Sequence, residues 1–153
     1  MAYKNPNSIL VVIYEQQTKQ ILMLRRKDDP DFWQSVTGSI DIGETPYQTA
    51  IREVKEETGI DILAENLPLF DCQEQIEFEI FPHFRYKYAP NVTHCTEHWF
   101  LLPLREKSAV CLTEHSAYQW VSPKAAVKLT KSPNNAQVIE KYIIVEGKQN
   151  GRT

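Results

Sequence analysis

The chain has 153 residues, 42% of them apolar and 24% charged, with a net charge of −3 and a pI near 5.8. That length suits one domain with a core large enough to need no staples, and the acidic balance argues against a general nucleic-acid or membrane-surface binder. No charged-then-apolar leader opens the sequence, the longest apolar runs are too short to span a bilayer, and three widely spaced cysteines, Cys72, Cys95 and Cys111, fit reduced, buried thiols in a cytoplasmic protein.

In chain order, "SILVVIYE" (8–15) and "QILMLRR" (20–26) are β-rich runs flanking the polar "QQTK", an early strand pair. "FWQSVTG" (32–38) follows the turn-prone "DDPD" and reads as another short strand. Residues 45–58 carry the strongest helix signal: Thr45 can N-cap, Pro46 occupies the first helical position, and Gly59 suits the left-handed C′ position. Its apolar stripe is Ala50, Val54 and Ile51, with Tyr47 one turn earlier. "LPLFDCQEQIEFEIF" (67–81) and "HFRYKYA" (83–89) alternate like two antiparallel strands, "EHWFLLPL" (97–104) like a buried one, and "YQWV" (118–121) like a short one. "SPKAAVKL" (122–129) and "NNAQVIEKYIIV" (134–145) are two further helices. The expected fold is α/β (α+β), a single domain over residues 1–146, followed by a polar tail, 147–153.

The helix at 45–58 is chemically odd. In "REVKEETG" (52–59), Glu53, Glu56 and Glu57 crowd one face at about 100° per residue. Like charges at i,i+4 destabilise a helix by about 0.2–0.5 kcal/mol. Arg52 can reach Glu56, but Glu53 has only Glu56 and Glu57 as helical neighbours. A solvated face would interleave lysine or arginine. A divalent cation relieves the repulsion instead, and Mg²⁺ favours a few carboxylates with waters and substrate phosphates.

Residues 38–60, "GSIDIGETPYQTAIREVKEETGI", run Gly, five residues, Glu, seven residues, then Arg-Glu-aliphatic-x-Glu-Glu-x-Gly-aliphatic. In this the chain strongly resembles the Nudix hydrolases. The resemblance implies an α/β/α sandwich with a mixed central sheet, and Mg²⁺-dependent hydrolysis, with Mn²⁺ as an alternative, of a nucleoside diphosphate linked to another group. It also implies roles at matching positions. Glu53 and Glu57 would ligate the metal, Glu56 would ligate or bridge through water, and Gly38 would offer its carbonyl. Glu44 would pair with Arg52 and hold the helix start. One more carboxylate from outside the motif is usual in the family, and "TEH" occurs twice, at 96–98 and 113–115. The loop position of Glu114 matches the family pattern, as further ligand and possible base, with Glu97 as the alternative. The zinc reading of "HCTEH" (94–98) lacks a fourth ligand at metal spacing.

Specificity must come from elsewhere. "DDPDFWQSVTGS", "EFEIFPHFRYKYAP" and "APNVTHCTEHWF" resemble the dihydroneopterin triphosphate pyrophosphatases of bacterial folate synthesis, over residues 4 to 143. That resemblance implies a small-molecule substrate, water attacking the α-phosphorus, and pyrophosphate leaving. Lys4, Arg26, Thr37 and Ser132 are the candidate phosphate contacts. Phe78, Glu79, Ile80 and Phe81 would meet the pterin, although plain core packing explains either phenylalanine alone. A (d)NTP pyrophosphatase, a dinucleoside polyphosphate hydrolase, and a non-enzymatic ligand sensor on the same fold are the competing readings. Oligomeric state is not legible in the sequence.

Overall fold

The structure is a computed structural model that describes residues 3–144. β1 (Asn7–Glu15), β2 (Ile21–Arg26), β3 (Trp33–Gln34) and β4 (Val36–Ser39) precede the long helix α1 (Pro46–Thr58). β5 (Phe70–Glu79), a 3₁₀ helix (Pro82–Lys87), β6 (His94–Leu104) and β7 (His115–Val121) follow. α2 (Pro123–Leu129) and α3 (Pro133–Ile139) complete the order, and α3 runs on as a π-helical turn, Glu140–Ile144. The expected polar tail, 147–153, lies outside the described residues.

One seven-stranded sheet runs β3-β2-β1-β6-β5, with β4 also paired to β1 and β7 to β2. It is mixed: β1 and β6 are parallel, and the other pairs are antiparallel. β1 sits at its centre and is buried on both faces, so "ILVVI" needs no polar alternation. Odd positions Ile9, Val11 and Ile13 join Ala50 and Val54 of α1 in one core. Even positions Leu10 and Val12 join Ala126, Val138 and Ile139 of α2 and α3 in the other. The period-2 side-chain alternation of a strand thus divides one run of residues between two helical layers, which is the expected sandwich. No helix among the described residues is long and apolar enough to cross a membrane.

α1 begins and ends as its sequence dictates. Thr45 and Gln48 form a reciprocal capping box, Pro46 opens the first turn, and Gly59 (φ 81°) closes the last by donating its N–H to the Lys55 carbonyl at 2.9 Å. Tyr47 departs from the expected stripe: it is 41% exposed, one turn above the buried Ala50 and Val54.

Four other expectations are corrected. Residues 83–89 are not a strand: Pro82 cannot donate to a ladder, and the chain turns in a 3₁₀ helix that buries Phe84, while β5 takes β6 as its partner. "FWQSVTG" breaks into β3 and β4 because the Ser35 N–H is taken at 2.7 Å by the Asn135 side chain rather than by a neighbouring strand. The early strand pair splays: β2 meets β1 only at Tyr14–Ile21, and β4 occupies the rest of that edge, residues 8–11. All three cysteines are free thiols, yet only Cys95 is buried, and Cys111 is exposed.

Candidate active site

Within α1, the helical period sends Glu53 and Glu57 inwards, 8% and 1% exposed, and leaves Glu56 exposed. The inner pair lies against β4. Gly38 makes this possible, because a Cβ there would fall 2.5 Å from Glu53 Cγ and nearer still to its carboxylate. Glu53 and Glu57 are both buried and act on each other electrostatically, so the two cannot both be charged without help. Burial, with the nearby Glu56 and Glu114 adding to it, raises Glu53 to about 7. Burial and the Glu53 charge hold Glu57 well above the ordinary carboxylate range.

Arg52 organises the mouth of the site. Its Nε and Nη2 grip Glu44 at 2.7 and 2.9 Å, and Nη2 also donates to the Ser39 carbonyl at 3.1 Å. Nη1 lies 3.3 Å from both Glu53 and Glu56. Glu44 further accepts from the Asp41 N–H and the Thr49 hydroxyl, and the Arg52 hydrogen bond leads the causes that hold it down at about 2. Glu44 is therefore a clamp, with its oxygens committed to protein donors.

Glu114 comes from the loop before β7 and lines the same clefts as Glu53, Glu56 and Glu57. That loop is tied to α1: the Thr113 hydroxyl donates to the Glu56 carbonyl at 2.6 Å, and the Cys111 N–H to the Thr58 carbonyl at 2.8 Å. Glu97 does not join this group. It is buried elsewhere, accepting from Trp99 and Asn134, which removes it as the alternative ligand. His115, assigned no role beside the carboxylates from sequence, lies 3.8 Å from Glu57 Oε1, and burial lowers its pKa to about 4, leaving the ring neutral.

Whether this donor set suits a divalent cation is tested by one atom. Glu57 Oε1 is sealed from solvent and has no hydrogen-bond partner, a cost of about 1–3 kcal/mol for an unsatisfied buried polar group. A cation there would satisfy Glu57 Oε1 and quench the Glu53–Glu57 repulsion together. Among the described residues no group of three or more His, Cys, Asp or Glu encloses such an ion. The set is an open half-shell of the kind Mg²⁺ shares with water and substrate phosphate.

A second cavity, about 710 Å³ including its open mouth, meets the carboxylate clefts at Lys4, Thr37 and Gly38. Phe32, Phe78, Ile80, Phe81, Phe84 and Tyr88 wall it. Phe32 and Phe81 meet edge to face at 5.6 Å. Its lip is cationic: Arg26 lies 4.1 Å over the Phe84 ring and pairs with Asp28 at 2.7 Å, and Lys87 pairs with Asp28 at 2.6 Å. Partial desolvation, then Lys87 and Arg26, lower the ammonium pKa of Lys4.

Of the substrate contacts expected from sequence, Lys4, Arg26, Thr37, Phe78, Ile80, Phe81 and Ser132 all line this cavity. Glu79 does not, since strand alternation turns it out to Arg85 at 3.0 Å. Ser132 lines the aromatic cavity rather than the carboxylate clefts, and its hydroxyl oxygen caps α3 at the Asn135 N–H. Phe32, Gln34, Phe84, Lys87 and Tyr88 also line the cavity; they fall within the stretches the sequence marked for specificity, but no local signal singles them out.

The NUDIX domain pattern matches residues 4–142. A dihydroneopterin triphosphate diphosphatase of Haemophilus influenzae is 60% identical over 143 residues, 94% of this chain and 90% of that protein. The Escherichia coli K12 protein of the same name is 59% identical over 142 residues, 93% and 95%. The solved structure of the E. coli dihydroneopterin triphosphate pyrophosphohydrolase superposes with a TM-score of 0.92 at 58% identity, over 94% of this chain and 99% of that one. With the family's motif intact from Gly38 to Ile60 and its carboxylates gathered at one end of the sheet, the chain belongs to the NUDIX domain family.

Proposed function

We propose that this NUDIX protein hydrolyses dihydroneopterin triphosphate to dihydroneopterin monophosphate and pyrophosphate, a reaction of folate biosynthesis. The observation that carries the reading is the junction of two unlike cavities. An aromatic slot fit for a flat ring opens, through Lys4 and Arg26, onto the Glu53, Glu57 and Glu114 clefts. Ring, linker and triphosphate have their complements in that order, and relatives about 60% identical over nearly the whole chain bear that substrate's name.

In this reading Phe78, Phe81 and Phe84 grip the pterin, and Lys4, Arg26 and Thr37 meet the phosphates. Glu53, Glu57 and Glu114, with Glu56 and the Gly38 carbonyl beside them, would hold the divalent cation. When bound, that ion neutralises phosphate charge and polarises the phosphoryl oxygens. Arg52 keeps Glu53 and Glu56 in place through its grip on Glu44. Water forms a new O–P bond at the α-phosphorus, the α–β bridging P–O bond breaks, and pyrophosphate departs. Positioning and charge stabilisation provide most of the rate, as is general for phosphoryl transfer. Glu114, on the exposed side of the cleft, is the residue we assign to receive the water's proton. Three free thiols fit a cytoplasmic site of action.

The test is a panel of dihydroneopterin triphosphate, dATP, dGTP and a dinucleoside tetraphosphate at equal concentration with Mg²⁺, scored by product. The reading fails if dihydroneopterin triphosphate is cleaved no faster than dATP.

A further inference from the structure

Glu97 is a buried carboxylate that the chemistry above leaves unused. It is 5% exposed on β6 and lines the aromatic cavity, yet lines neither of the clefts that hold Glu53, Glu57 and Glu114. It therefore stands on the ring side of Lys4 and Thr37. Its Oε1 accepts from Trp99 Nε1 at 3.1 Å and Asn134 Nδ2 at 3.4 Å. Its Oε2 has no hydrogen bond among the described residues, and it is not one of the side-chain atoms sealed without a partner.

This arrangement has a chemical meaning. A carboxylate is an acceptor at every lone pair, and burying it half-satisfied is costly. Trp99 and Asn134 donate to one oxygen and fix the orientation of the group on the wall of the cavity, among the rings of Phe32, Phe78, Phe81 and Phe84 and the polar Gln34 and Asn135. Burial raises it, to about 7, against the hydrogen bonds from Trp99 and Asn134 that lower it. Its side-chain partners are the neutral donors of Trp99 and Asn134, and a ring edge rich in N–H donors would complete that set. A 2-amino-4-oxo pyrimidine edge, with its ring N–H beside an exocyclic amino group, is such an edge. An adenine edge, which places an acceptor nitrogen next to the amino group, would set one lone pair against another.

We propose that Glu97 is the specificity-determining residue of the ring cavity, accepting hydrogen bonds from the ring N–H and amino N–H of the pterin. This rests on the reading of the substrate given above. Hydrogen bonds to a charged group set the scale: their loss costs about tenfold to a hundredfold.

The test compares the wild type with Glu97→Gln, whose carbonyl can still accept from Trp99 and Asn134 but whose amide would face the pterin donors with donors. Dihydroneopterin triphosphate and dATP are measured for both proteins, alongside Tm. The expected result is a kcat/KM ratio, dihydroneopterin triphosphate over dATP, reduced tenfold or more, mainly through KM, with Tm not lowered. Equal losses on both substrates, or none, overturn the proposal while leaving the assigned substrate intact. A wild type that does not prefer dihydroneopterin triphosphate overturns the substrate reading and this proposal with it. Should the variant not fold, the ligand side decides: wild-type enzyme must favour dGTP over dITP, which lacks the 2-amino group, and indifference between them overturns the proposal.

Discussion

Gly38→Ala is the sharpest perturbation of the metal-binding reading, because it adds one carbon and no charge. The new Cβ would lie 2.5 Å from Glu53 Cγ, whereas ordinary contact begins near 3.4 Å. Its nearest neighbours all belong to the Glu53 side chain, so that chain yields and the sheet stays put. The carboxylate must retreat by roughly 1 Å, a misplacement of the size that costs about 10²-fold in rate. The fold loses little, since the Arg52–Glu53 contact of 3.3 Å is one partly exposed ion pair, worth about 0–1 kcal/mol. Steady-state kinetics against Mg²⁺ concentration, with Tm measured in parallel, is the assay. The expected outcome is kcat reduced about a hundredfold, a higher Mg²⁺ requirement, and Tm nearly unchanged. Activity within a few-fold of wild type would show that Glu53's position against Gly38 is irrelevant to turnover, and the assignment of Glu53 as a ligand would fall.

Other outcomes follow from the same geometry. Glu114→Gln should lower kcat by about 10²–10⁴-fold without a drop in Tm, since Glu114 is exposed; near-normal turnover removes it from the site. EDTA should abolish pyrophosphate release, and Mg²⁺ should raise Tm. The metal-free protein should also lose stability as pH rises from about 4.5 through about 7. Glu53 has a folded pKa above its unfolded one, so its protonated form is the one folding favours. A Tm flat across that window without metal would contradict the crowded-carboxylate picture. Glu44 has the opposite sign: its folded value of about 2 lies below the unfolded value of 4.5. The destabilisation caused by Glu44→Gln should thus be full above pH 4.5 and fade as pH falls towards 2, as read by urea unfolding. Phe81→Ala should raise KM for dihydroneopterin triphosphate more than it lowers kcat, which a plain packing role would not do.

α1 was legible because its signals are local. A cap, a proline, a C′ glycine and three carboxylates at helical spacing all lie within residues 45–59, and the clash among the carboxylates was itself the clue to a cation. The pairing of Arg52 with Glu44 was legible through the resemblance to the Nudix motif. Glu97 and Glu114 share the same local setting, each after a threonine and before a histidine, and the sequence ranked Glu114 first only by its loop position; the structure divides them because β6 carries Glu97 into the molecule beside Trp99, while the loop pinned to α1 by Thr113 holds Glu114 at the surface. Residues 83–89 misled because alternation also appears in a turn that buries one ring, Phe84, and exposes its neighbours.

By itself the sequence determined the reaction class, through residues 38–60, whose resemblance to the Nudix hydrolases also implied the α/β/α sandwich. Only the tertiary structure decided the shape of the specificity cavity. Phe32, Phe84, Glu97 and Ser132 come from four separate segments, and no short-range rule of propensity or period relates them. They meet because a 3₁₀ turn, a broken strand and a helix cap fold over the same end of the sheet. Packing across the chain, rather than pattern along it, sets what the ring will touch.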